Sequence, residues 1–248
     1  MRYNRLFLDI DGTLIGTIDS LIGHDPRLKK SLHDYMDQGG EIGLVTGRSE
    51  EYASAVYEIF GLNGIRIVEM GAGIIYEDGE RSILTPLKNI DKIRKFLKTY
   101  GLLDSMREEK KSFMISLVLP EFPRHDPSRL RLVYNKVRDK FKVSFPNATI
   151  ECDNYSIDIY NPKSNKGRAL ELCAQKKKIA MGKVALAGDS RSDYDCFKFV
   201  NSRGGLVAYV GLDGIFEEDL RKEFHNLYIT KNKRSSGVVE LVEFILNS

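Results

Sequence analysis

The chain has 248 residues and a formal net charge of +3, with 42% hydrophobic and 29% charged residues. This composition is typical of an ordinary globular protein, long enough for one large domain or two modest ones. The small charge excess argues against a nucleic-acid partner. The longest apolar runs fall short of the roughly 20 residues that span a bilayer, and the N-terminus leads straight into a predicted strand. We therefore expect a cytoplasmic protein with no membrane partner.

The three cysteines and four histidines are scattered along the chain. No CxxC pair is present, and no cysteine has an adjacent histidine. The sequence therefore predicts neither a disulfide framework nor a zinc site, and a reducing compartment fits this pattern.

Short apolar runs alternate with amphipathic segments in the first eighty or so residues. The pattern predicts strand, helix, strand, helix and strand at 5–10, 25–38, 41–46, 49–61 and 65–69. The alternation returns after about residue 162, with helices at 165–178, 193–200 and 237–246 and strands at 183–188, 205–210 and 227–230. Short strands separated by helices favour a doubly wound α/β fold, a parallel sheet covered on both faces. We assign residues 1–85 and 162–248 to this core domain.

The pattern changes between residues 86 and 161. Here the sequence predicts helices at 89–101 and 127–141 and strands at 112–120, 148–153 and 155–160. Strands paired across turns with two helices predict an α+β insertion on an antiparallel sheet, which we interpret as a cap domain.

Polar residues follow three of the predicted core strands. They are Asp9 and Asp11 after the first strand, Thr46, Gly47 and Arg48 after the second, and Asp189 and Asp193 after the third. An isolated DxDG can equally be a turn with a strand-end cap. Ligands, however, bind at the carboxyl ends of strands in open α/β sheets, so three polar strand ends together predict a site.

The residue types at these strand ends suit phosphoryl chemistry. Asp9, Asp189 and Asp193 offer the hard oxygen ligands that Mg²⁺ prefers. Thr46 and the Gly47 amide can donate to a phosphoryl oxygen, and Arg48 can join them or reach the substrate. One carboxylate can then act as nucleophile while another, two residues away, transfers protons. Lys163 and Lys166 are candidates for a cation on the transferring group, and Lys166 begins a predicted helix.

Four motifs in this order resemble those of the haloacid dehalogenase superfamily of phosphohydrolases: DIDGT at 9–13, LVTGR at 44–48, Lys166 in NKGRAL, and GDSRSD at 188–193. The resemblance implies roles for six of these residues. Asp9 would be the nucleophile, Asp11 the general acid/base with its backbone carbonyl on the metal, Thr46 a phosphate binder, Lys166 the charge clamp, Asp189 a Mg²⁺ ligand and Asp193 its support.

The insertion between the second and third motifs resembles the α/β cap of the Cof-like, sucrose-phosphate, mannosyl-phosphoglycerate and phosphoglycolate phosphatases. Two positions depart from the pattern of these relatives. Glu69, Met70 and Gly71 stand where ENG is common, so Met70 replaces the asparagine, and Ser192 stands where asparagine is common. We expect these changes to affect substrate contacts more than the metal site.

The resemblance implies a Mg²⁺-dependent phosphatase for a small phosphorylated metabolite, either a sugar phosphate or a phosphoglycolate-like acid. A phosphomutase similar to phosphomannomutase is the alternative, although the TGR sequence favours a phosphatase. A non-catalytic binding module is disfavoured because every catalytic position is filled, and a dehalogenase is disfavoured by Asp11 and Thr46. On the cap, Arg107, Lys110 and Lys111 are candidates for contact with a second anionic group of the substrate.

Overall fold

The computed structural model describes residues 1–16, 24–121, 127–152 and 156–248. These residues form two compact units. The first unit contains Met1–Ser82 and Asn165–Ser248, and the second contains Ile83–Ser164.

The elements follow one another in an alternation of strands and helices. The strands are β1 (Arg5–Leu8), β2 (Glu41–Val45), β3 (Arg66–Val68), β4 (Gly73–Ile75), β5 (Arg81–Ile83), β6 (Arg107–Glu108), β7 (Ile115–Val118), β8 (Thr149–Cys152), β9 (Ile157–Tyr160), β10 (Val184–Gly188), β11 (Leu206–Tyr209) and β12 (Leu227–Ile229). The helices are α1 (Leu28–Asp37), α2 (Glu50–Phe60), α3 (Ile90–Thr99), α4 (Leu102–Ser105), α5 (Pro127–Ser144), α6 (Lys166–Lys177), α7 (Tyr194–Asn201), α8 (Gly214–Glu223) and α9 (Arg234–Leu246).

A large sheet, with strand order β12-β11-β10-β1-β2-β3-β4-β5, forms the centre of the first unit. The strands from β12 to β3 in this order pair in parallel, and β4 pairs antiparallel with β3. Leu6, Phe7 and Leu8 are all buried, which is why β1 reads as a continuous apolar run rather than an alternating one. The predicted doubly wound α/β fold is confirmed. The sequence patterns did not predict β4, β5 or α8.

The helices of the first unit pack through apolar stripes. In α1, Leu28, Leu32 and Tyr35 recur at helical spacing and are buried in the core. Ser49 caps the N-terminus of α2, where its hydroxyl accepts from the Tyr52 amide, and Gly61 caps the C-terminus in the left-handed conformation. The apolar spacing and the capping residues in the sequence therefore agree with the observed packing and ends of these helices.

The second unit contains an antiparallel sheet with strand order β6-β7-β9-β8. Alternate residues of its strands, such as Ile115 and Ile157, are buried in a core with α3 and α5. Ser116 and Asp158 sit opposite each other on the other face. The predicted end of one strand at residue 153 and the predicted start of the next at residue 155 lie outside the described residues. Within the described ranges, no helix combines the length and the apolar character needed to cross a bilayer.

Candidate active site

The ends of three adjacent strands bring the predicted site residues together. Strand β1 lies between β2 and β10 in parallel, so Asp9, Thr46 and Asp189 follow strands that end at one edge of the sheet. Oxygens of Asp9, Asp189 and Asp193 all lie within 4.8 Å of one another. Residues more than 180 positions apart in sequence thereby form one carboxylate cluster.

A tight turn after β1 separates the two acids of the first motif. The Ile10 carbonyl accepts from the amides of Thr13 (3.3 Å) and Ile15 (3.0 Å), so the chain reverses directly after this residue. Gly12 has φ 76°, and a Cβ on it would overlap the Asp189 carboxylate. Because of this turn, Asp9 and Asp11 have different partners, although residues two apart on a straight strand would face the same side.

Lys166 supplies the positive charge at the centre of the cluster. Its Nζ donates to Asp193 Oδ1 at 2.8 Å and to Asp9 Oδ1 at 3.1 Å. The residue is only 3% exposed and begins α6, whose N-terminus is capped by the Asn165 side chain accepting from the Arg168 amide. The capped start of α6 thus fixes the backbone of Lys166, whose buried side chain bridges two acids.

Asp193 uses both carboxylate oxygens for contacts within the protein. Oδ1 accepts from Lys166, and Oδ2 accepts from the amides of Asp189 and Ser190 at 3.2 Å each. A Cβ on Gly188 would come within 2.5 Å of Oδ2, so the strand end must be glycine for this approach. The geometry fits a residue that holds the Asp189 loop in place.

Burial and mutual repulsion shift the pKa values of these acids. Burial and the neighbouring carboxylates raise the pKa of Asp9 well above its usual range. Lys166 lowers this pKa, but by less than burial and the carboxylates raise it. Burial and the Asp193 carboxylate raise the pKa of Asp189 to about 7, although Lys166 and a hydrogen bond from Thr13 lower it. Burial by itself lowers the pKa of Lys166, but Asp193 and Asp9 together raise it above its ordinary value.

The cluster therefore holds three carboxylates against one ammonium group. Hard carboxylate oxygens that repel one another in a buried site are the donor set that a small divalent cation stabilises. The residues present fit Mg²⁺, with Asp9 and Asp189 as the candidates for direct ligands.

Arg48 contacts the second acid of the first motif instead of joining Thr46. Its Nε and Nη2 donate to Asp11 at 2.7 and 2.8 Å, and its guanidinium lies 4.6 Å from the centre of the Tyr52 ring. The hydroxyl of Thr46 is buried and accepts from the Arg48 amide at 3.1 Å, while its own proton can still be donated. The structure thus pairs Arg48 with the candidate proton-transfer group.

Comparisons with known proteins place this arrangement in a family. The family model of sucrose-6F-phosphate phosphohydrolase matches residues 4–245. The chain belongs to this family.

Relatives of the chain lead to the same class of enzyme. A phosphoglycolate phosphatase of Staphylothermus marinus is 25% identical over 96% of both chains. A Sinorhizobium fredii protein named "Probable trehalose-phosphate phosphatase" is 26% identical over 83% of this chain and 77% of its own length. The structure of a haloacid dehalogenase-like hydrolase from Bacteroides thetaiotaomicron superposes with a TM-score of 0.72 at 18% identity, covering 98% of this chain and 99% of that one. The protein is a phosphatase of the haloacid dehalogenase superfamily, a phosphoric monoester hydrolase.

The two departures from the pattern of relatives both lie at the phosphatase site. Ser192 Oγ accepts from Lys166 Nζ at 3.3 Å and shares a 2.9 Å hydrogen bond with Ser190 Oγ. Met70 lies in a turn, and its own backbone amide donates to the Thr46 carbonyl at 3.2 Å. Serine therefore retains a polar contact to the lysine, whereas Met70 places an apolar side chain next to the Thr46 segment.

Sequence reasoning singled out no role for Thr13, which donates to Asp189 Oδ1 at 3.3 Å. Its position in the DIDGT motif is the signal that would have identified it. Lys163 is exposed and belongs to the second unit. The basic candidates of the insertion also belong to the second unit, and there Lys111 lies 3.7 Å from Glu109 and 3.8 Å from Asp158.

Proposed function

We propose that this phosphatase hydrolyses monophosphate esters of sugars, using Asp9 as the nucleophile and Mg²⁺ as cofactor. The observation that carries the proposal is the meeting of Asp9, Lys166 and Asp189 at one sheet edge. Lys166 Nζ donates to Asp9 Oδ1 at 3.1 Å, and oxygens of Asp9 and Asp189 lie within 4.8 Å of each other. Asp9, Asp189 and the backbone carbonyl of Asp11 would hold the cation, with Asp193 in support. Bound Mg²⁺ supplies charge that offsets the carboxylate repulsion and polarises a phosphoryl oxygen.

The first half-reaction follows from the surroundings of the two acids. Asp9 is buried beside Lys166, which keeps one of its oxygens in a fixed direction while the other attacks phosphorus. The bond between phosphorus and the ester oxygen breaks, and the phosphoryl group becomes an aspartyl phosphate on Asp9. Asp11 gives its proton to the leaving oxygen, which departs as the alcohol.

The second half-reaction reverses the role of Asp11. It takes a proton from water, the water oxygen bonds to phosphorus, and the bond to Asp9 breaks to release inorganic phosphate. Thr46 and the Gly47 amide would bind the phosphoryl oxygens, together with Lys166. The bidentate contact from Arg48 orients the ionised form of Asp11, the form that takes the proton from water.

The chemistry of the second unit favours a sugar over a small acid as the leaving group. We assign this unit, as the cap, the role of selecting the alcohol part of the ester. Lys111 has a side chain only 6% exposed and faces two carboxylates, Glu109 and Asp158, so its charge is already balanced. With its charge balanced in this way, Lys111 is a weaker partner for a second anionic group of the substrate than a lysine without acidic neighbours. The sugar phosphates named for the family and for the Sinorhizobium fredii relative agree with this choice.

The test is an assay of phosphate release from a panel of sugar phosphates and 2-phosphoglycolate, with Mg²⁺ and with EDTA. We expect sugar phosphates to be hydrolysed with Mg²⁺ and none with EDTA. The same release without an added sugar bisphosphate distinguishes hydrolysis from a phosphomutase reaction. Preference for 2-phosphoglycolate would contradict the sugar assignment, and undiminished turnover in EDTA would contradict the metal.

A further inference from the structure

The turn that contains Met70 has an unusual backbone conformation. Glu69, Met70 and Gly71 have φ values of 49°, 57° and 87° in succession. Among non-glycine residues this left-handed region is tolerated best by asparagine and aspartate, and methionine has no short polar group to stabilise it. Strained backbone of this kind is held in place by its surroundings and is concentrated at functional sites.

The strained turn is fixed to two segments of the site. The Met70 amide donates to the Thr46 carbonyl at 3.2 Å, and the Glu69 amide donates to the Arg48 carbonyl at 2.9 Å. On its other side, Gly71 approaches Asn165 so closely that a Cβ would overlap the Asn165 carbonyl. The turn therefore lies between the phosphate-binding segment and the start of the helix that carries Lys166.

The Met70 side chain covers Gly47. Its Sδ lies 3.1 Å from the position that a Cβ on Gly47 would occupy. A residue other than glycine at position 47 would therefore require the Met70 side chain to shift. Met70 itself is half-buried, so part of the thioether side chain remains accessible. Whatever is attached to a phosphoryl group held by the Gly47 amide therefore comes close to a polarisable, apolar surface.

We propose that Met70 is a specificity-determining residue that favours esters with an uncharged carbon skeleton next to the phosphate, such as a sugar, over esters with a carboxylate there. A carboxylate placed against the thioether loses water and gains no donor, whereas the C–H face of a sugar packs against it. The inference rests on the proposed phosphatase function and adds Met70 to the residues that select the substrate.

The experiment compares kcat/KM for glucose 6-phosphate, 2-phosphoglycolate and p-nitrophenyl phosphate in wild type, Met70→Asn, Met70→Gly and Met70→Leu. We expect the ratio of glucose 6-phosphate to 2-phosphoglycolate to fall about tenfold in the Asn and Gly variants and to stay close to wild type in the Leu variant. The Gly variant tests the side chain even if the Asn variant folds poorly, since glycine adopts this φ freely.

Lys178→Asn is the matched control. Lys178 is exposed and has φ 53°, and it lies at the end of α6 opposite Lys166. Relief of strain should raise Tm by about 2–4 °C in both Asn variants, but only the Met70 variant should alter the substrate ratio. An unchanged ratio in active Met70→Asn and Met70→Gly enzymes would overturn the inference alone. Failure of wild type to release phosphate from all three esters would overturn the proposed function as well.

Discussion

Two buried lysines, one in each unit, face a pair of carboxylates, and the geometry differs between them. Lys166 Nζ makes hydrogen bonds of 2.8 and 3.1 Å to Asp193 and Asp9. Lys111 Nζ lies 3.7 and 3.8 Å from Glu109 and Asp158, beyond hydrogen-bond distance. A lysine between two carboxylates thus makes short hydrogen bonds in the first unit and only longer charge contacts in the second.

The difference lies in how the acids are held. Around Lys166, backbone amides fix Asp193, and a third acid adds negative charge beside it. Around Lys111, the hydroxyl groups of Ser116 and Ser156 donate to the two acids, and both acids retain partial exposure. The first cluster therefore holds its charges in fixed positions, whereas the acids of the second cluster are partly exposed and less firmly held.

The largest expected effect comes from removing the nucleophile. Asp9→Asn should lower kcat by at least about 10³-fold, because no carboxylate remains to bond to phosphorus. Thermal unfolding should show an equal or higher Tm, since a buried charge facing other acids is removed. Asp34→Asn, at an exposed residue of α1 paired with Lys30, is the control. Wild-type turnover in Asp9→Asn would reject the assignment.

The two lysines can be compared directly by neutral substitution. Lys166→Met should lower the free energy of unfolding by about 3–5 kcal/mol, because it leaves two buried acids without a cation. Lys111→Met should cost about 1 kcal/mol or less, since its acids are partly exposed and its contacts are long. Urea unfolding of both variants without added metal measures the difference. Equal losses would show that hydrogen-bond geometry does not distinguish the two clusters.

The site residues were predictable from the sequence where a polar residue of suitable chemistry directly follows a predicted strand. Apolar runs that stop at Asp9, Thr46 and Asp189 indicated which residues meet, because parallel strands end at one edge. The pairing of Arg48 with Asp11 was not predictable, since it depends on the turn after Ile10. The left-handed conformation of Met70 is also a tertiary effect, contrary to the preference of that residue type.

The missed elements of the fold have a similar physical explanation. Strand β4 pairs antiparallel with β3 and so falls outside the alternation of strands and helices, and β5 is largely exposed and has no apolar run. Helix α8 buries only Phe216 and Leu220, so its apolar stripe is weak. Its N-cap, where Asp213 accepts from the amides of Ile215 and Phe216, was the stronger local signal.

The raised pKa of Asp189 predicts a pH dependence for the metal-free protein. Its pKa is about 7 in the folded state, above its ordinary value of 3.8, so the folded state binds this proton more tightly than the unfolded chain. The resulting stability is fully present below pH 4 and is lost as the pH rises towards 7, with a slope of at most about 1.4 kcal/mol per pH unit for each proton. Asp9 shifts in the same direction and adds to the trend.

Urea unfolding between pH 5 and 8 with EDTA measures this slope, and Asp189→Asn should make it shallower. Added Mg²⁺ should stabilise the protein more at pH 8 than at pH 5, because the cation competes with protons for the same oxygens. A metal-free protein whose stability rises through this range would contradict the electrostatics of the cluster.

The smallest expected effect concerns the contact that orients Asp11. Arg48→Lys keeps the charge but loses the planar, two-point contact, so Asp11 can turn away from the leaving oxygen. We expect kcat to fall about tenfold, corresponding to about 1.4 kcal/mol, with little change in Tm. Arg81→Lys, at an exposed arginine that contacts Glu50, is the matched control and should retain wild-type kcat. A loss of kcat confined to esters with poor leaving groups, and absent for p-nitrophenyl phosphate, would locate the defect in protonation of the leaving oxygen; equal loss for both would place it in phosphoryl binding instead.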